Sequence, residues 1–159
     1  MTIKTRACVR CHGATHLAQL ERISGTERFL AVTVHDLPVL ACEQGHVQFV
    51  RADFPVQLLE QIIGRDELQL PAGRAKGLLF KHYHCGACGA QLDANADHNH
   101  TIALSVRVPD LPPFRCDLTL PLFRCGGCGT QQLQTAQAVQ DLVPVALAHA
   151  FQAARLPHA

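Results

Sequence analysis

Two cysteine pairs, Cys85-x2-Cys88 and Cys125-x2-Cys128, carry the strongest chemical signal in this chain. A two-residue gap lets both sulfurs face one ion from a single tight turn, and the glycine-rich flanks suit such turns. Two of these knuckles supply four thiolates, the donor set of a closed tetrahedral Zn²⁺ site. Iron accepts the same four ligands. A thioredoxin-like redox pair would need a βαβ context that neither pair has.

A second, less regular set lies upstream. Cys8-x2-Cys11 is followed by Cys42, but Gly45 stands where a fourth cysteine would complete the pattern, and His46 comes next. An imidazole one position further on completes a Cys3His site. His12, His16 and His35 are the rival donors, and a site that binds nothing is the remaining alternative. The expected metal ligands are therefore Cys8, Cys11, Cys42 and His46 in the first set, and Cys85, Cys88, Cys125 and Cys128 in the second, for two Zn²⁺ per chain. Cys116 sits in an alternating apolar stretch and reads as a small buried thiol. The pairs His82/His84 and His98/His100 read as solvated polar segments.

An internal repeat ties the two sets together. Leu37-Pro38-Val39-Leu40-Ala41-Cys42 matches Leu120-Pro121-Leu122-Phe123-Arg124-Cys125, and Ala7-Cys8-Val9-Arg10-Cys11 matches His84-Cys85-Gly86-Ala87-Cys88. The repeat predicts a first unit over residues 1–72, a linker over 73–79 and a second unit over 80–159. In the second unit Ile102, Leu104, Val106 and Val108 alternate with Thr101, Ala103, Ser105 and Arg107, the period of a half-buried strand. The proline-rich stretch 109–113 turns the chain, and 116–120 resumes the alternation, so a hairpin is expected. A shorter counterpart is expected around Phe29 to Val34. Each unit then closes on a helix, over 55–64 and from about Asp141 to Arg155. The predicted fold class is small α+β: two tandem zinc-ribbon-like units, each a short antiparallel sheet followed by one helix.

The first unit resembles the YgiT-type zinc fingers, through Cys8-x2-Cys11 and the run Asp36-Leu37-Pro38-Val39-Leu40-Ala41-Cys42-Glu43-Gln44-Gly45-His46. The second is similar through Cys85, Cys88, Leu120-Pro121-Leu122-Phe123-Arg124-Cys125 and Cys128. The resemblance implies a zinc knuckle, a strand pair, a second knuckle and a helix, as in the N-terminal zinc domains of certain antitoxins. Gly45-His46 departs from the family pattern, and a second zinc unit stands where those antitoxins carry a helix-turn-helix domain. Antitoxin or repressor function is therefore not inherited by resemblance.

Bulk properties narrow the function classes. The 159 residues are 48% hydrophobic, with no Trp, one Tyr and a formal net charge of +1. Halves this small have little core and usually need a staple, which metal supplies. The first eleven residues lack the apolar core of a secretory signal, and no apolar run approaches membrane-spanning length. A cytoplasmic location without membrane partners is expected, where paired cysteines read first as ligands. Near-neutral charge and scarce aromatics weigh against nucleic-acid binding. The reading is a non-enzymatic, zinc-stapled interaction module with a protein partner. The alternative is a nucleic-acid-binding regulator or antitoxin-like protein. A catalytic zinc in the first unit, with Glu43 as base, is a third class.

Overall fold

A computed structural model describes residues 3–157; Met1, Thr2, His158 and Ala159, the outermost residues of the two expected units, lie outside it. Chain order is β1 (Thr15–Glu27), β2 (Leu30–Cys42), β3 (Val47–Gln48), α1 (Phe54–Ile63), a 3-10 turn (Asp66–Leu68), β4 (Arg74–Lys76), β5 (His82–His84), β6 (His98–Val106), β7 (Phe114–Arg124), β8 (Gln131–Gln132) and α2 (Ala136–Ala153). The composition is α+β with antiparallel strand pairing, as expected. Six strands from the two halves join in one sheet, ordered β1-β2-β7-β6, with β3 on β2 and β8 on β7, while β4 and β5 form a separate two-stranded sheet. The seam is antiparallel, pairing Ala31 with Thr119, Val34 with Cys116 and His35 with Arg115.

Alternation explains why the sheet has one dry face. Leu30, Val32 and Val34 of β2, Ile102, Leu104 and Val106 of β6, and Cys116, Leu118 and Leu120 of β7 all enter one core. Their neighbours Thr33, Ala103, Ser105 and Arg115 remain on the open face, following the two-residue period of the pleat. Both helices cover the dry face: Phe54, Leu58 and Ile62 come from α1, and Val139, Val143, Ala146, Leu147 and Ala150 from α2.

The helices are exchanged between the halves. Helix α2 lies across β1 and β2 of the first half, and α1 packs against β6 of the second. Gly25 on β1 permits the first contact, because a Cβ there would stand 2.2 Å from the Ala146 carbonyl oxygen. His149 Nδ1 reaches the Thr26 carbonyl at 2.7 Å on the same seam. In the reciprocal contact Gln61 Nε2 donates to the Arg107 carbonyl at 2.9 Å, and the Arg65 guanidinium donates to that of Ser105 at 2.6 Å.

Three local expectations change. The first hairpin is not the shorter one: β1 and β2 are 13 residues each. Its outer strand is buried at Ile23 alone and exposed at most other positions, as suits a sheet edge, so its apolar alternation is weak. Helix α2 starts at Ala136 rather than near Asp141, because Ala136-Gln137-Ala138 are good helix formers behind an extended Thr135. Within the segment read as a linker, residues 74–76 form β4 and pair with β5.

Candidate metal centres

Each ligand group is built by the same local device. A knuckle follows or precedes a long strand, and its first cysteine ties both its amide and its carbonyl into the turn. The Cys85 amide donates to the Ala90 carbonyl at 2.7 Å, and the Gly89 amide donates back to the Cys85 carbonyl at 3.0 Å. Cys125 repeats the pattern with Thr130 and Gly129, and Cys8 repeats it with Gly13 and His12. The residue four places after the leading cysteine is left-handed in all three turns: Gly89, Gly129 and, without glycine's freedom, His12 at φ 61°.

The turn at Cys42 is one residue shorter, which accounts for the irregular sequence. The Gly45 amide donates to the Cys42 carbonyl, and the Cys42 amide to that of His46. The left-handed position therefore falls at Gly45, φ 81°, where the pattern would otherwise place a cysteine. His46 follows it, and its longer side chain spans the displaced position.

The structure gathers Cys8, Cys11, Cys42 and His46 in one group and Cys85, Cys88, Cys125 and Cys128 in another, with the donor atoms of each group within 4.8 Å of one another. In the first, Cys11 and Cys42 sulfurs are 3.7 Å apart, and His46 Nδ1 lies 3.7 Å from Cys8 Sγ and 3.6 Å from Cys42 Sγ. In the second, Cys85 and Cys128 are 3.6 Å apart and Cys88 and Cys125 3.5 Å. A zinc ion about 2.3 Å from each sulfur sets tetrahedral edges of about 3.8 Å between sulfurs and about 3.6 Å from sulfur to imidazole nitrogen. The observed edges match these, and they are far too long for a disulfide, whose sulfurs lie about 2 Å apart. Both donor sets fit a tetrahedral metal ion.

Among the rival donors, His12 occupies the left-handed turn position, and His35 Nε2 is engaged by Asp117 at 3.0 Å. Neither they nor His16 belong to the first group. Cys116 is fully buried between Val34 and Leu104, outside both groups, and burial, with the Asp117 charge beside it, pushes its thiol up to about 12. His82, His84, His98 and His100 also join neither group.

Sequence reasoning missed two residues that complete the sites. Gln48 and Gln132 are the fully buried polar side chains among the described residues, each 1% exposed. Gln48 Oε1 accepts the amide of Val9, next to Cys8, at 2.8 Å; Gln132 Oε1 accepts the amide of Gly86, next to Cys85, at 2.9 Å. Gln132 Nε2 also donates to Cys85 Sγ at 3.1 Å. Each glutamine thus pins a leading knuckle from the short strand after the partner knuckle. The repeat aligns Val47-Gln48-Phe49 with Gln131-Gln132-Leu133 only once the one-residue shortening of the turn at Cys42 is allowed for, so the ungapped sequence did not bring the two glutamines together.

These donors prepare the sulfurs electrostatically. The Gln132 amide, then the Cys88 backbone amide, lower the Cys85 thiol to about 6. The Cys11 and Arg10 backbone amides lower Cys8 to about 6. At Cys88 the Ala90 amide favours the thiolate, but the Cys125 thiol, burial and the other cysteines outweigh it and push Cys88 up to about 11. Four thiolates crowded together cannot all ionise without a compensating cation, and a divalent metal ion is such a cation.

Comparison with known proteins finds no family model, curated protein or solved structure that matches this chain. Among the described residues no helix is long and apolar enough to cross a membrane.

Proposed function

We propose that the chain is a zinc-binding, non-enzymatic interaction module in which two structural Zn²⁺ ions staple zinc-ribbon-like halves and so hold their loops in place for a protein partner. One observation carries this reading: each group offers four protein donors at tetrahedral spacing, so that a bound ion has no position left for water or substrate. A catalytic zinc needs such an open position. With His46 at the fourth corner, the first group offers none, and Glu43 is solvent-exposed. Thiolate-rich donor sets favour zinc among the common divalent ions. The resemblance to YgiT-type zinc fingers supports the same metal, and cysteines kept as ligands suit a cytoplasmic setting.

Atomic emission on the purified protein tests the reading. About two zinc ions per chain are expected, from the two donor sets. None, or mainly iron, would overturn the assignment. X-ray absorption should report four protein ligands per zinc, and a bound water at either site would revive the catalytic alternative. Because the sequence has no extended run of cations to neutralise many phosphates, nucleic-acid binding should be weak and unselective. A sequence-selective gel shift at physiological salt would promote the regulator reading.

A further inference from the structure

Exposed apolar side chains such as Val9 and Leu17 stand singly on this surface and Val56 lines a groove between the helices, but at one place three exposed apolar residues are consecutive. Leu78, Leu79 and Phe80 are 102%, 91% and 80% exposed. Single exposed apolar residues are ordinary, whereas a contiguous apolar projection marks an interaction site. These three form the tip of the β4–β5 hairpin, whose stem pairs Arg74 with His84, Ala75 with Tyr83 and Lys76 with His82. Gly77, at φ 111°, closes the turn so tightly that a Cβ there would stand 2.2 Å from the Phe80 carbonyl oxygen.

Charge around the tip is one-sided. From Gln69 to Leu92 the sequence contains no Asp or Glu, while Arg74, Lys76 and Lys81 flank the apolar residues. None of these cations joins an ion pair among the described residues. Arg28 and the half-exposed Phe29, from the β1–β2 turn, line a depression of about 300 Å³ together with Lys81 and Tyr83. Asp141, held by Gln137 at 2.9 Å, is the one acid lining it. The near-zero charge of the whole chain conceals this local basic collar.

We propose that the Leu78-Leu79-Phe80 tip, with its collar of Arg74, Lys76 and Lys81, docks the protein on an anionic lipid surface. The apolar side chains enter the boundary between headgroups and acyl chains, and the cations remain among the phosphates. Fully exposed apolar side chains at a projecting tip, flanked by cations and by no acid, match the two layers of such a surface, apolar chains beneath anionic headgroups. The contact is peripheral and needs no membrane-crossing helix. It stands apart from the metal-site reading, although β5 runs directly into Cys85, so the knuckle anchors the base of the hairpin.

The chain has no tryptophan, so Phe80→Trp places a sole tryptophan at the tip, which can be excited apart from Tyr83. Phosphatidylcholine vesicles containing phosphatidylserine should shift its emission to the blue and sediment the protein, with both effects weakened by salt. Pure phosphatidylcholine vesicles should do neither. Lys76→Gln and Lys81→Gln should each lower partitioning about fivefold, the equivalent of one cation near an anionic surface. The triple variant Leu78→Ser, Leu79→Ser, Phe80→Ser should lose vesicle binding while keeping its metal content and melting temperature. Absence of a blue shift at low salt, or binding that survives the triple variant, would overturn the proposal. So would a lipid-independent blue shift that grows with protein concentration alongside solution mass. That result would seat the tip in a second copy's apolar groove, about 310 Å³, between α1 and α2.

Discussion

At the residue scale, the first group draws its fourth donor, His46, from one place beyond the usual pattern. His46→Ala should leave three cysteines and an open corner, so that mild chelation lowers zinc from about two to about one per chain. His12→Ala should leave the count unchanged, because the left-handed turn position keeps His12 out of the ligand group. A reversed result would break the ligand assignment while leaving the repeat intact. The buried glutamines invite a second test. Gln132→Leu removes an amide clamp on Gly86 and a hydrogen bond to Cys85 Sγ without changing the donor set. Chelator competition should show the second site weakened about 10- to 100-fold, the usual effect of losing a partner that orients a ligand. Unchanged affinity would mean that the knuckle turn alone positions Cys85.

At the element scale, the close crossing of α2 over β1 is the most sensitive contact. Backbone atoms of Ala146 and Ala150 lie 2.2 and 2.4 Å from where a Gly25 Cβ would be. Backbone cannot swing aside as a flexible side chain does, so Gly25→Ala must lift the helix or bend the strand. A loss of about 3 kcal/mol is expected in denaturant titration, the upper end of overpacking costs. Gly13→Ala is the control, since its Cβ would meet only the Cys11 sulfur, at 3.4 Å. Equal effects at the two positions would show that the crossing is looser than the structure has it. Pro144, inside α2, removes one helical hydrogen bond without ending the helix, because the flanking Val143 and Ala146 are fixed in the core.

At the scale of the whole molecule, one sheet and two exchanged helices make the halves interdependent. The dry face of the β1–β2 hairpin is covered by a helix from the far end of the sequence. Cys85→Ser or Cys125→Ser should therefore do more than release one zinc. Metal-binding free energy in small sites is largely folding free energy, and loss of the second knuckle should loosen α2 and expose β1 and β2. Amide hydrogen exchange should show protection falling in Val32 and Val34 as well as in Leu104 and Leu118. If the first-half amides kept full protection, the halves would be energetically separate despite the shared sheet.

The two Cys/His groups and the existence of two hairpins and two helices were legible in the sequence, because knuckle spacing and two-residue alternation are local properties. Cys85-x2-Cys88 dictates its turn wherever it occurs, and Ile102 to Val108 declares a strand without reference to the rest of the chain. The length of β1 was not legible, since an edge strand half open to water has little apolar pattern to show. Nor was the role of Gln48 and Gln132, whose partners lie 39 and 46 residues away. The exchange of helices also had to come from the tertiary structure. An amphipathic helix declares which of its faces is buried, but not which hairpin it covers, and here Gly25 and Ala146 settle that choice by letting one backbone approach another.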